Sequence, residues 1–397
     1  MSWPIVKIGD VSEQIRGVSY AKEDASLTPK DSYLPVLRAN NITEFGLQFD
    51  DLVYVPASRI KQKQIINQHD VVIAASSGSL DVVGKAASAL VDFRGGFGAF
   101  CKVLRPNSKI DPRYFSNYFQ TKKYRQKISL LAAGANINNL KNEHLDNLEI
   151  PLPPLSEQRR IAAILDKAEA LRSKRREAIA KLDQLLRSVF LEMFGDPAEN
   201  PKQWRRAHLG DLLVDGPQNG LYKPASFYGT GTPILRIDGF KSGDVIDTLP
   251  IKRLMLSDSE VKKYQIKSND IIINRVNSPE HLGKAAIFTL ADQVVFESNM
   301  MRISIDANQA NPNYINFFLM QDFIKQQIQK SRKDAINQSS INQEDVQNFR
   351  INLPEIDVQD RFAMIIRNIA RRKKQYSDQL MQFSTLQTSL QHKFFTQ

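Results

Sequence analysis

"PLPPLSEQRRIAAIL", residues 151–165, returns in thinned form as "NLPEIDVQDRFAMII", residues 352–366. The offset is about two hundred residues, half of a 397-residue chain. Self-similarity on that scale marks a repeated structural unit. The correspondence continues outward. Trp3 answers Trp204, and these are the only tryptophans. Ile8-Gly9-Asp10 answers Leu209-Gly210-Asp211, and Pro35-Val36-Leu37-Arg38 answers Pro233-Ile234-Leu235-Arg236. Gly84-Lys85-Ala86-Ala87 answers Gly283-Lys284-Ala285-Ala286, and Asp111-Pro112-Arg113-Tyr114 answers Asn311-Pro312-Asn313-Tyr314. Leu140, Glu143 and Leu145 answer Ile341, Glu344 and Val346. Chance supplies one or two such matches. Six in order at a nearly constant offset make a duplicated unit. Between the matched points the halves differ: "GVSYAKEDASLTPKDSY" shows no clear likeness to "NGLYKPASFYGTG".

The chain is long enough for two or three domains, and its hydrophobic and charged fractions, 42% and 24%, are those of a globular protein. The net charge of +11 and a pI near 9.5 favour a polyanionic partner, most simply nucleic acid. A single cysteine, Cys101, leaves no internal disulfide and no cysteine zinc site, and the five histidines form no HExxH pair. No metal and no cofactor are expected in the chain. The start, "MSWPIVKIGD", lacks the apolar run of a signal peptide, and no stretch nears twenty apolar residues. These features predict a soluble, cytoplasmic protein.

Each repeat has two parts. The first, about 150 residues, holds short apolar runs between turn residues. "DVVIAA" and "DIIINR" predict strands. "YFSNYFQTKKYRQKI" and "YINFFLMQDFIKQQI" predict helices with a buried aromatic face. The second part is one long helix. Ser156 and Asp357 occupy one repeat position after prolines, and both are good N-caps. The first helix is predicted to stop at Gly195, with Pro197 just beyond. The fold class is therefore α+β, two tandem mixed domains related by a pseudo-two-fold axis and separated by two long helices. The predicted segments are a domain over 1–150, a helix over 151–197, a domain over 198–354 and a helix over 355–397.

The two helices match as a pair. Ile161, Ala168, Arg175, Leu182 and Val189 lie seven apart, and Ile164, Leu171, Ala178 and Leu185 hold the position three further on. The second helix carries Phe362, Ile369, Tyr376, Phe383 and Leu390, then Ile365, Arg372, Gln379 and Leu386. Leu165, Ile179, Leu186 and Met193 widen the first stripe, as Ile366, Leu380 and Phe394 widen the second. Five heptads are a coiled-coil signal. From Ser156 to Phe194 the rod spans roughly 58 Å at 1.5 Å per residue. "DPAENPKQW" is too short a connection for a parallel pair, so the expected coiled coil is antiparallel. Two domains on a stiff rod suit a bipartite duplex site whose halves lie a helical turn or more apart.

The stretch from Ile150 to Pro197, "IPLPPLSEQRRIAAILDKAEALRSKRREAIAKLDQLLRSVFLEMFGDP", strongly resembles the central conserved region of specificity (S) subunits of type I restriction–modification enzymes. "WPIVKIGD" resembles their domain start. The second copy departs more; it keeps Leu353, Pro354, Gln359 and Arg361 but loses the double proline. The resemblance implies two target recognition domains, each reading one half of a gapped, asymmetric DNA sequence. It implies helices that set the gap and help dock two methyltransferase (M) subunits, with restriction (R) subunits joining a larger assembly. Adenine methylation from S-adenosylmethionine would belong to the M subunits, so this chain would be a non-catalytic, cytoplasmic DNA-binding subunit.

Two motifs tempt toward an enzyme. "NPNY" at Asn311 is one residue from an adenine methyltransferase signature, but its partner "DPRY" at Asp111 marks a turn with proline opening a helix. "GSLDVVGKA" at Gly78 has the wrong spacing for a phosphate loop, and Ala86 replaces the magnesium-binding hydroxyl. The charge runs "RSKRREAIAK" and "ARRKKQYSDQ" are either solvated faces or contacts to phosphate or an acidic partner. Arg and Lys suit guanine, and Asn and Gln suit adenine. On that ground the base-reading candidates are Arg38, Asn40, Asn41, Ser76 and Ser77 in unit one, and Arg236, Asn274, Arg275 and Asn277 in unit two. Lys122, Lys123 and Arg125 in "TKKYRQK" are phosphate-contact candidates, with a solvated helix face as the alternative. Two other functions stay open: a coiled-coil adaptor that binds only proteins, and a self-contained methyltransferase or nuclease.

Overall fold

The computed structural model describes residues 3–396 apart from 45, 80, 134–138, 242, 244, 247–248, 251 and 336–337. It divides into two units, and each takes residues from both long helices. Unit one is Met1–Glu177 with Tyr376–Gln397, and unit two is Ala178–Gln375.

In unit one, Ile5–Lys7 pairs antiparallel with Glu149–Pro151 and closes the domain on itself. A four-stranded sheet runs Ser12–Arg16, Cys101–Pro106, Val71–Ala74, Ala86–Ser88. A three-stranded sheet has Tyr33–Leu37 at its centre, antiparallel to Val53–Pro56 and parallel to Gly96–Phe97. Unit two repeats this plan. Arg205–His208 pairs with Arg350–Leu353. Its larger sheet runs Leu213–Asn219, Met300–Ile305, Ile271–Asn274, Ala285–Phe288, Val245–Ile246. Tyr228–Leu235 is central between Arg253–Leu254 and the parallel strand Val295–Phe296. The glycines of the repeated "GKAA" are explained by the hairpin they close. Gly84 and Gly283 have φ of +78° and +76°, and a Cβ there would sit 2.5 Å from Ile128 and 2.1 Å from Ile328.

The aromatic stretches each fold as two helices rather than one, Pro112–Tyr118 with Lys122–Ala133, and Pro312–Leu319 with Asp322–Ser331. The break in unit one is made by Thr121, whose hydroxyl donates to Tyr118 O at 2.7 Å and accepts from Tyr124 N at 3.1 Å. "DPRY" and "NPNY" open the first helix of each pair. Asp111 accepts from the backbone of Arg113 and Tyr114, and Asn311 accepts from that of Asn313. Their tyrosines reach the strand before the long helix: Tyr114 OH donates to Pro151 O at 2.8 Å, and Tyr314 OH to Asn352 O at 2.6 Å.

The long helices are Leu155–Phe194 and Ile356–Phe395. Each starts two residues earlier than those caps would set, so Ser156 and Asp357 lie inside the first turn. The N–H groups of Glu157 and Gln158 donate to Pro154 O, and those of Val358 and Gln359 to Glu355 O. A buried glutamine then ties helix to domain in both copies. Gln158 donates to Pro153 O and accepts from Asp111 N, both at 2.7 Å. Gln359 donates to Pro354 O at 2.7 Å and accepts from Asn311 N at 2.9 Å. The first helix ends at Gly195, whose φ is +75°.

Within each unit the helices run antiparallel. In unit one, Ile161, Ala162 and Leu165 share a core with Phe394 and Phe395, and Arg172 donates to Ser384 Oγ at 3.1 Å and to Gln387. In unit two, Phe190 and Phe194 pack on Phe362 beside Tyr314 and Phe317, and Lys373 donates to Asp183 at 2.7 Å. The first heptad register lies on this seam at Ile161, Ala168, Leu182, Val189, Phe362, Ile369, Tyr376, Phe383 and Leu390, each buried or half-buried. The second register requires a correction. Burial follows the position four residues on, through Leu165, Arg172, Ile179, Leu186 and Met193, and through Ile366, Lys373, Leu380, Gln387 and Phe394. Leu171, Leu185 and Leu386 flank the seam and are 37%, 49% and 50% exposed, and Ile164 and Ile365 are half-buried at its edge. The charge runs are therefore partly interior. Arg172 and Lys373 occupy seam slots, and the Arg175 guanidinium lies 5.2 Å from the Tyr376 ring.

One matched pair escaped the sequence comparison. Gly17 and Gly220 press against equivalent strands, and a Cβ on either would lie 2.0 Å from Gly98 O or 2.3 Å from Glu297 O. Gly17→Ala is expected to destabilise unit one by roughly 3 kcal/mol, because a backbone carbonyl cannot swing aside as a side chain can. A denaturation midpoint unchanged from wild type would refute this.

Candidate nucleic-acid interface

In unit one, three loops gather around the end of the central strand Tyr33–Leu37. They enclose a cleft of about 920 Å³ lined by Tyr20, Arg38, Asn40, Ser76, Ser77 and Phe100, among others. Arg38 Nη2 donates to Asp51 Oδ2 and to Asp51 O, both at 2.9 Å. Asn40 donates to the same carboxylate at 2.8 Å. Phe100, 68% exposed, presents its ring to the cleft lining. Burial raises the Tyr20 hydroxyl pKa against the pull of Arg38, and pushes the Cys101 thiol up to about 12. Both groups stay protonated at neutral pH and act here as shape. The sequence reading did not single out Tyr20, in "GVSYAKED", or Phe100, in "GGFGAFC", both of which line the cleft.

Asn41 does not belong to this surface. It is buried, donating to Asp50 O and accepting from Arg38 N, both at 2.8 Å, so its amide is spent on holding the loop. The phosphate candidates also change role. Lys123 donates to Phe395 O at 3.2 Å, a cation on the last turn of the second long helix. Arg125 reaches from its helix to the loop of the hairpin Val71–Ala74/Ala86–Ser88, donating to Asp81 O at 2.6 Å and to Val83 O. Lys122 is exposed.

In unit two, Arg236 holds the place of Arg38, with its Nε 3.3 Å from Glu297 Oε2. It lines a cleft of about 690 Å³ with Tyr228, Gly229, Lys252 and Arg253. Arg275 donates to Ser298 O at 3.1 Å, and Asn277 accepts from Ser278 N at 2.8 Å. Both are half-buried. Asn274 is fully buried where unit one has Ala74, and its amide has no partner among the described residues. It is closed to a duplex. Among the described residues, no three His, Cys, Asp or Glu side chains gather as a metal site, and no helix is long and apolar enough to cross a membrane.

The arrangement offers polar and aromatic groups in concave sites, one set per repeat, in a basic chain. The chain matches the family described as the type I restriction modification DNA specificity domain twice, over residues 2–181 and 201–381. It is 32% identical to the type I restriction enzyme StySPI specificity subunit of Salmonella potsdam, over 99% of this chain and 88% of that protein. The EcoKI specificity subunit of Escherichia coli strain K12 is also 32% identical, with the same coverage. Among solved structures, the S subunit of the type I restriction–modification system of M. genitalium aligns with a TM-score of 0.58 at 14% identity, covering all of this chain and 96% of that one. A chain from a study of complex assembly and conformational transition in the type I R-M system aligns at 0.53 with 18% identity, covering 99% and 97%. With both repeats matched and full-length relatives above 30% identity, the chain belongs to the DNA specificity family of type I restriction–modification systems.

Proposed function

We propose that this chain is the sequence-specific DNA-binding subunit of a type I restriction–modification complex. It is non-catalytic, and it assembles in the cytoplasm with two methyltransferase subunits and, in the full complex, restriction subunits. The domains over 1–150 and 198–354 each read one half of a gapped, asymmetric duplex target. The helices within 151–197 and 355–397 set the gap and carry the methyltransferase subunits. The observation that supports this most is the full-length family match combined with a repeat whose scaffold is kept and whose clefts differ. Unlike clefts on like scaffolds suit unlike half-sites. In this reading Arg38, Asn40, Ser76 and Ser77 face DNA in the first domain, and Arg236, Arg275 and Asn277 in the second.

Salt titration tests the reading. A duplex held through Z phosphates loses affinity with a log–log slope near −0.9Z. For the complex with its methyltransferase subunits, a slope of roughly −5 or steeper is expected on the target mapped by methylation sequencing. A flat response would instead favour an adaptor that binds only proteins.

A further inference from the structure

The hairpin loop that closes on "GKAA" keeps its backbone bonds in both units. Gly84 N donates to Ala74 O at 2.8 Å, and Gly283 N to Asn274 O at 2.9 Å. Lys85 N donates to Val82 O at 3.0 Å, and Lys284 N to His281 O at 3.3 Å. What the loop carbonyls meet is different. In unit one the helix Lys122–Ala133 supplies the donors. Tyr124 OH donates to Gly84 O at 2.8 Å, and Arg125 donates to Asp81 O at 2.6 Å and to Val83 O. A Cβ on Gly84 would lie 3.2 Å from Arg125 Nη1, so the guanidinium sits against the loop. In unit two the matching helix positions hold Ile324 and Lys325. Ile324 has no donor, and Lys325 turns outward to Asp322 at 2.8 Å, with its side chain 63% exposed. Among the described residues, only Ile328 comes within 4 Å of a Cβ on Gly283. A pocket of about 490 Å³ opens there, walled by Glu280, Leu282, Gly283, Lys325 and Ile328 among others.

We propose that this pocket of unit two takes an arginine side chain from a methyltransferase subunit, repeating between subunits the contact that Arg125 makes within unit one. The inference rests on the assembly proposed above. The carbonyls of Glu280, Leu282 and Gly283 match the three that Arg125 and Tyr124 serve in unit one. A guanidinium carries five donors in one plane and can bridge several carbonyls, which an ammonium group does less well. The exposed carboxylate of Glu280 on the same loop favours a cation. Two of the pocket's own cations are already engaged. Lys284 donates to Ile237 O at 2.7 Å and Phe240 O at 2.5 Å, and Arg332 Nε lies 3.2 Å from Asp334. The place of the loop points to the methyltransferase as the partner. It starts directly after Asn277, on the side assigned to DNA, and a subunit that modifies a base of the bound duplex works beside that side. In unit one Arg125 already fills the matching place, so one methyltransferase subunit of the two gains this anchor.

Lys325→Arg tests this, because it offers the loop the side chain that unit one uses and keeps the charge. Purified methyltransferase subunit is titrated onto the full chain, and the two binding steps are resolved by native mass spectrometry. Lys325→Arg is expected to weaken one step by roughly tenfold or more, the loss of one charge-assisted contact, and to leave the other step unchanged. A competition arm does not depend on how the new arginine packs. Excess methylguanidinium should weaken the same single step in the wild-type chain and have no such effect on the variant. Methylammonium at equal concentration, the control for ionic strength, should change neither protein. Both steps unchanged in Lys325→Arg, or methylammonium as effective as methylguanidinium, would overturn the inference. So would self-association of the wild-type chain that Lys325→Arg abolishes, since the arginine would then come from a second copy. A wild-type chain that binds no methyltransferase subunit would instead remove the assembly on which the inference rests.

Discussion

Inserting seven residues after Glu177 and seven after Gln375 is expected to lengthen the gap in the preferred target by about three base pairs. Seven residues of helix add roughly 10.5 Å, and duplex rises 3.4 Å per pair. The two insertion points fall where the chain passes between its compact units. They leave intact the cross-helix contacts of Arg172 with Gln387, Arg175 with Tyr376, and Asp183 with Lys373. A whole heptad also preserves the seam register. Methylation of the original target should fall by roughly a hundredfold or more, because one domain can no longer engage while the other is bound. Methylation mapping in cells reads both effects. A lengthened protein that still selects the original gap would show that the helices are not the ruler.

Asp70→Ala should cost about 3–5 kcal/mol, a large fraction of what holds an ordinary domain together. Asp70 is 1% exposed and accepts from Arg105 Nε at 2.8 Å, Arg105 Nη2 at 2.7 Å and Asn67 N at 2.8 Å. Removing it leaves a half-buried guanidinium with only the Ile65 carbonyl, at 2.9 Å, of its present partners. The matching Asp270 is held differently, by the Ser304 hydroxyl at 2.5 Å and Lys267 N at 2.7 Å, with Arg302 at 3.6 Å. Burial raises its pKa despite those partners. Asp270→Asn should therefore cost only about 1 kcal/mol. Calorimetry of the two variants checks the asymmetry, and equal losses would contradict it.

The repeat, the long helices and the role of "DPRY" and "NPNY" were legible because each is a local signal carried twice. The seam register was misread for a physical reason. Leu171, Leu185 and Leu386 look like core in a linear pattern, while the true slots hold Arg172, Lys373 and Gln387, which find partners across the pair or within the helix. A hydrophobic pattern cannot reveal a polar side chain buried by its partner. The same limit applies to the candidate interface. Arg38 and Arg236 each line a cleft because they follow a repeated strand. Asn41, Lys123 and Arg125 have equally suitable side chains, yet the fold spends them on backbone carbonyls and turns. The Gly17 and Gly220 equivalence is set by an approach of two backbones distant in sequence, which no short window contains.

The core of the first unit includes Phe394 and Phe395, with Phe395 stacked on Tyr114 at 4.9 Å. Synthesis proceeds toward the C-terminus, so the interior of the first-made domain stays open until Phe394 and Phe395, made after the whole of the second domain, have left the ribosome. A chain cut short before Phe394 would thus weaken the first domain rather than the second.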